Sequence, residues 1–202
     1  MTLLSIFVSC SIMLVGDARV RGDEASTSVS HLVDDLYSAN LSTATQAKEK
    51  VLTMARQSRT NRNEIIRNLL AVFDDPRTEQ VGYSSAWYAS AELLGDLKAE
   101  EAINALVRHL DYTNGVAGLS LSHFPAAKAL TKIGRPAVPA LSVALADPRP
   151  SMRENAARAL GEIGGPEAAE VLKNAVKSEK DSDVRFYIAK ALEAATKYVS
   201  GD

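Results

Sequence analysis

Residues 156–176 read AARALGEIGGPEAAEVLKNAV, and this stretch decides the fold. Ala156, Ala157 and Ala159 let a helix approach its neighbours closely, while Leu160 and Ile163, three apart, hold a shared core. The pair Gly164-Gly165 ends that helix, where a residue in the left-handed conformation is wanted. Pro166 then opens a second helix, at whose start a missing N–H costs little. Ala169, Leu172 and Val176 form the buried stripe of that second helix. The unit is a helical hairpin.

The same unit recurs in both directions. Its first helix is repeated as AAKALTKIG at 126–134 and IAKALEAAT at 188–196, and with less alanine as SAELLGDLK at 90–98. Aligned on Leu94, Leu130, Leu160 and Leu192, the copies fall 36, 30 and 32 residues apart, one hairpin per period. The second helix repeats as Ile103, Leu106 and Leu110, and as Val138, Leu141 and Leu145. Gly134 ends a first helix, Pro136 begins a second, and Pro139 is tolerated in its first turn. Earlier, Ala47, Val51, Met54 and Ala55 mark one amphipathic helix with Ser42 as its cap. Ile66, Leu69, Leu70 and Phe73 mark another begun by Asn63. Asp75-Pro76 closes that pair as Asp147-Pro148 closes the later one. Val29, Leu32, Val33 and Leu36 predict a short helix that caps the N-terminal end, and Lys197 to Asp202 form a polar tail.

These residues resemble a HEAT repeat of the short subgroup related to phycobiliprotein lyases, well over residues 84–196 and weakly over 42–76. The resemblance implies an all-α fold, an α-solenoid of about four to five hairpins stacked as a right-handed superhelix. Tetratricopeptide and ankyrin repeats have similar lengths, but their tryptophan-tyrosine-proline and Thr-Pro-Leu-His patterns are absent. HEAT repeats commonly carry an aspartate near the end of the second helix and an arginine six residues later, which form a ladder between repeats. Asp147 and Arg153 match that pattern, and Arg185 takes the next arginine place with Glu179 six residues before it. His123 and Trp87 occupy the arginine places of the two preceding repeats, so the expected ladder is structural and incomplete.

Residues 1–15, MTLLSIFVSCSIMLV, carry no charged side chain and are too short to span a bilayer comfortably. With small residues at Gly16 and Ala18, residues 1–18 read as a cleaved signal peptide, 19–28 as a flexible leader, and 29–202 as the repeat domain. The expectation is export to a periplasmic or extracellular space. An uncleaved membrane anchor or a cytoplasmic chain are the alternatives. Cys10, the one cysteine, lies inside this segment, so a disulfide framework is excluded. Asn40-Leu41-Ser42 is a glycosylation sequon, relevant to an exported eukaryotic product.

The formal charge of −2 over 202 residues, spread without basic blocks, opposes nucleic acid and anionic membrane surfaces as partners. No catalytic set converges, and no cofactor or metal is expected. His31, His109 and His123 are followed by Leu, Leu and Phe, so the His-Glu pairs by which the HEAT-like deoxyhypusine hydroxylases bind iron are absent. The function expected is a non-catalytic, monomeric adaptor or scaffold holding another protein or peptide segment. The expected site is the concave face where second helices line up. The resemblance keeps one enzymatic alternative, a phycobilin lyase-like or tetrapyrrole-handling protein, which export would oppose.

Off the buried stripe lie Asn104, Arg108, Ser142, Lys173, Asn174 and Lys177. Two irregularities stand out around one hairpin. Residues 111–122 form an extra, turn-prone loop that includes Leu119, either a functional loop or a neutral insertion. Tyr83, Trp87, Tyr88, Tyr112 and Phe124 concentrate the scarce aromatics there, as interface anchors or as core. The partner-binding candidates are therefore Trp87, Tyr88, Arg108, Tyr112, Leu119, Phe124, Lys173 and Lys177.

Overall fold

The computed structural model describes residues 29–38, 40–79, 84–113 and 124–200, and among them every regular element is helical. Helix α1 (29–34) runs into a 3₁₀ turn, Asp35–Tyr37. Four hairpins follow: α2 (Leu41–Gln57) with α3 (Arg59–Ala71), α4 (Ser84–Asp96) with α5 (Ile103–Arg108), α6 (Pro125–Ile133) with α7 (Val138–Ala144), and α8 (Pro150–Ile163) with α9 (Gly165–Ser178). Helix α10 (Ser182–Ser200) closes the order as a half-repeat. The first helices α2, α4, α6, α8 and α10 pack side by side in one layer. The second helices α5, α7 and α9 pack in a parallel layer, with α3 joined to α5 through the 3₁₀ turn Glu100–Ala102. The chain is an all-α solenoid.

The periodic leucines explain the stacking. Leu94, Leu106, Leu110, Leu130, Leu141, Leu160 and Leu172 are all fully buried, each contributing about 1.5–3 kcal/mol relative to an exposed side chain. Small residues set the spacing of the first helices. A Cβ on Gly95 would stand 2.8 Å from the Cα of Ala129, and one on Gly161 would stand 2.9 Å from the Cα of Ala191. Gly95 and Gly161 each follow the aligned leucine by one residue, and Ala129 and Ala191 precede the next one. The same contact thus recurs at two junctions. Gly164 ends α8 with a φ of 68°, as the helix-stop reading predicts.

Two caps differ from the expected ones. The side chain of Asn40, not Ser42, accepts hydrogen bonds from the N–H groups of Ser42 and Thr43, because the helix begins already at Leu41 and the acceptor must precede it. Ser58, not Asn63, caps α3 by accepting from the N–H of Asn61, and Asn63 lies inside the helix. Pro136 sits in the 3₁₀ turn Arg135–Ala137 that leads into α7. The expected signal and leader, and Leu119 with the loop from 114 onward, lie outside the described residues. Among the described residues no helix is long and apolar enough to cross a membrane.

Candidate binding surface

The two layers present different surfaces. First helices are tied to one another by ion pairs: Lys48 of α2 to Glu92 of α4, and Lys132 of α6 to Asp96 of α4. The carboxyl of Glu92 is held below its ordinary value by the Lys48 hydrogen bond. Arg158 of α8 pairs with Glu154 one turn before it and lies over the ring of Tyr187 of α10, 4.4 Å from its centroid. A cleft of about 120 Å³ opens between α4 and α6, lined by Tyr88, Glu92, Pro125, Lys128, Ala129 and Lys132. Two of its charged walls, Glu92 and Lys132, are already committed to Lys48 and Asp96.

The second-helix layer carries ion pairs too, Arg62 of α3 to Glu101 before α5 at 3.2 Å and Arg135 before α7 to Glu167 of α9 at 3.8 Å. Register against the buried Leu69, Leu106, Leu141 and Leu172 places Leu70, Val107, Ser142 and Lys173 in one row and Ala71, Arg108, Val143 and Asn174 in the next. Val143 is 75% exposed. Arg67, Arg108, Lys173, Asn174 and Lys177 are exposed, and Leu70 and Val107 are half-buried. Lys173 approaches Glu170 of its own helix at 3.8 Å. Among the described residues Arg67, Arg108 and Lys177 have no ion-pair partner.

The turns between hairpins line one edge of the stack, and most carry a charged clasp. Asp75 accepts from the backbone N–H of Arg77 at 2.8 Å and from its guanidinium, and Tyr37 donates to the same carboxylate at 2.9 Å. Arg77 also reaches Asp34 at 3.4 Å. Asp147 holds Arg149 in the same way, and Arg149 reaches Asp111 at 3.2 Å. Hydrogen bonds from Arg77 and Arg149 keep Asp75 and Asp147 below the usual carboxylate range. Asn155, buried, donates to the carbonyl of Leu110 at 3.1 Å and Ser151 donates to Asp111. The end of α5 is therefore fastened to the start of α8.

The expected Asp147–Arg153 rung takes another form. The Asp147 carboxylate goes to Arg149, and Arg153 donates instead to the carbonyl of Asp147 at 2.9 Å. Arg185 donates in the same way to the carbonyl of Glu179 at 3.0 Å. The six-residue spacing thus delivers a guanidinium to the backbone of the turn after the preceding second helix, whose last carbonyls lack partners within the helix. The carboxylate partner of Arg153 is Glu179, held through Nε at 2.8 Å and Nη2 at 3.1 Å. Burial alone would push the Glu179 carboxyl up. Its bonds from Arg153 and from the N–H groups of Asp181 and Lys180 outweigh that and hold it below its ordinary value.

Trp87, at the arginine place of α4, meets aromatic neighbours instead. Its ring centroid lies 4.2 Å from that of Tyr112, 4.9 Å from Phe73 and 5.6 Å from His109. Phe73 and His109 stack at 5.6 Å. Burial and the neighbouring Arg108 charge lower the pKa of His109, which favours the neutral ring that such stacking suits.

Of the residues expected to bind a partner, Trp87 is a correction: it is 2% exposed, so its indole is a core group with no surface to offer. Tyr112 and Tyr88 are half-buried around it, with Tyr88 turned to the α4/α6 cleft. Phe124 is half-buried at the start of α6. Arg108, Lys173 and Lys177 stand exposed on the second-helix layer. Sequence reasoning missed Val143, which the 3.6-residue period alone could have placed off the stripe. It also missed the clasps of Arg77 and Arg149, whose signal is the recurrence of Asp-Pro-Arg at 75–77 and 147–149. Among the described residues no group of His, Cys, Asp and Glu could hold a metal ion.

Residues 125–193 match the family model for HEAT repeats. Over 75 residues, 37% of this chain, the sequence is 39% identical to epoxyqueuosine reductase of Bacillus subtilis and 37% identical to that of Bacillus cereus. The matched stretch spans 18% of the length of each of those enzymes. Among solved structures, an engineered protein aligns over 83% of this chain and 79% of its own at 23% identity and a TM-score of 0.40. Human deoxyhypusine hydroxylase in complex with glycerol aligns over 89% and 99% at 16% identity and a TM-score of 0.31.

Proposed function

For a chain that is a HEAT-repeat protein, we propose a non-catalytic adaptor that holds a segment of another protein across its second-helix layer. The observation that carries this reading is the exposed apolar side chain on the second-helix layer. Val143 of α7 is 75% exposed, with Arg108 of α5 and Asn174 of α9 exposed in the same row. Such a mixed apolar and charged strip on a rigid stack suits an extended partner. Export by residues 1–18 belongs to the same reading.

A photo-crosslinking residue placed at Val143 in the full chain tests it, with the same group at Lys128 as the control. The 143 position is expected to capture one discrete protein that the 128 position does not. Equal capture at both positions, or none at 143, would overturn the adaptor reading.

The match to epoxyqueuosine reductases favours a second reading, in which such hairpins serve a catalytic unit. In that case reductase assays supplemented with the chain would change in rate or substrate affinity. No change at saturating chain would rule this out for that reaction.

A further inference from the structure

We infer that the outer face of α10 is a self-association surface, on which a second copy of this chain docks antiparallel across a twofold axis at Ala189. Repeat register supplies the first observation. Ala91, Ala127 and Ala157 each stand three residues before the aligned leucine of their helix, and each is fully buried. Their counterpart on α10, Ala189, is only half-buried. Helix α10 packs on α8 and α9, and around Ala189 its remaining side exposes Arg185, Phe186 and Glu193. Phe186 takes the register place of Tyr88 and Phe124, which are half-buried. It is 55% exposed even with the Lys190 ammonium 4.9 Å from its ring centroid. The face is thus a repeat-to-repeat contact surface with an aromatic side chain left in water.

Charge selects the occupant. Arg185, Ala189 and Glu193 follow one another at four-residue intervals and form a single row on the helix. Arg185 donates to the carbonyl of Glu179 at 3.0 Å, but among the described residues neither its guanidinium nor the Glu193 carboxylate has an ion-pair partner. In an antiparallel copy centred on Ala189, the two charges lie about 6 Å along the axis on either side of the crossing. Each Arg185 then faces the Glu193 of the other copy, twice over, at the roughly −50° crossing that aligns such rows. The alanine at the centre lets the backbones approach. Phe186 is one residue from the row, and the twofold brings both rings to the same flank of the contact. A further repeat stacked in register is a poorer occupant, since it would meet Glu193 at the place where α4 and α8 have Gly95 and Gly161. The opposite end of the stack also suits this face less well. Apart from Leu41 at its first position, the exposed side of α2 presents Thr45, Gln46, Glu49 and Thr53, which offer Phe186 little apolar surface. Such a dimer departs from the monomer expected from sequence. Docking on α10 leaves Val143 and the second-helix layer free, so dimerisation and the adaptor function stand or fall separately.

A crossing of two single helices is small as interfaces go, so half-association is expected at about 100 μM. Sedimentation equilibrium of the full chain across that concentration is expected to show the mass rising from one chain towards two. Arg185→Glu and Glu193→Arg each set like charges opposite one another, and each is expected to weaken the dimer by roughly tenfold. An equimolar mixture of the two variants is expected to associate about as tightly as wild type, because every pair is again opposite in sign. The double variant should recover in the same way. Phe186→Ser is expected to weaken association by a similar factor. Circular dichroism checks that each variant is folded. Were Arg185→Glu to unfold, weakening by Glu193→Arg and by Phe186→Ser would still be required, since among the described residues the Glu193 side chain bonds to nothing. A single chain at every concentration would overturn the inference. So would association that none of the substitutions weakens, or weakening that neither the mixture nor the double variant restores. Growth beyond two chains would overturn it as well, because an isologous contact closes at the dimer.

Discussion

The rings of Trp87 and Tyr112 lie 4.2 Å apart, centroid to centroid, in the place where Arg153 and Glu179 form an ion pair two hairpins later. Trp87 and Arg153 each precede the aligned leucine of their helix by seven residues. Tyr112 and Glu179 each follow the second helix of the same hairpin. One rung of the edge is therefore aromatic where another is ionic, and both fasten the start of a first helix to the turn that ends its own hairpin.

Because Trp87 fills the centre of that aromatic rung, Trp87→Ala is expected to cost about 3–5 kcal/mol. Urea unfolding followed by circular dichroism measures it. A loss below about 1 kcal/mol would mean that the rings are not packed as described.

Acid should loosen the ionic rung. Glu179 sits below its ordinary pKa when folded, so its stabilisation is full above the unfolded value of about 4.3 and is lost as pH falls through the lower folded value. Glu179→Gln is expected to cost about 1.5–3 kcal/mol at neutral pH and to flatten this acid dependence. Parallel denaturation curves for wild type and variant at neutral and acidic pH read both effects.

Alkali should act at the other end of the stack. Burial, and then the hydrogen bond to the Asp75 carboxylate, raise the Tyr37 phenol to about 12. The unfolded chain releases that proton near pH 10 while the folded one keeps it, so stability falls as pH rises through this interval. Tyr37→Phe should remove that part of the decline, and identical alkaline slopes for the two proteins would contradict the assignment.

Gly161→Ala should push α8 from α10, since the new methyl group would stand 2.9 Å from the Cα and 3.0 Å from the carbonyl oxygen of Ala191. Overpacking of this kind costs about 1–3 kcal/mol. Gly95→Ala should do the same between α4 and α6, and differential scanning calorimetry of the two variants against wild type gives the size. An unchanged melting temperature in both would show that the seam can yield.

The fold was legible because stacking needs a leucine at a fixed place in every period, and Leu94, Leu130 and Leu160 keep that place. Burial on a helix follows its 3.6-residue period, so Leu106, Leu141 and Leu172 could be assigned to the core from spacing alone. Charge partners could not. Asp147 lies six residues before Arg153, yet its carboxylate takes Arg149, because the Asp-Pro-Arg turn brings the nearer guanidinium round first. Trp87 shows the other limit. An aromatic residue at the start of a helix suits an interface and a core equally well in sequence, and only Phe73, His109 and Tyr112 around it decide between them.

The two glycine seams also have a mechanical consequence. Gly95 against Ala129 and Gly161 against Ala191 lock α4 to α6 and α8 to α10, but at the junction between them the corresponding residue of α6 is Thr131, half-exposed and bonded back to its own helix at Lys128. The stack is therefore held by two kinds of fastening: backbone contact at the two seams, and between them the hydrogen bonds that Asn155, Ser151 and Arg149 make to the end of α5.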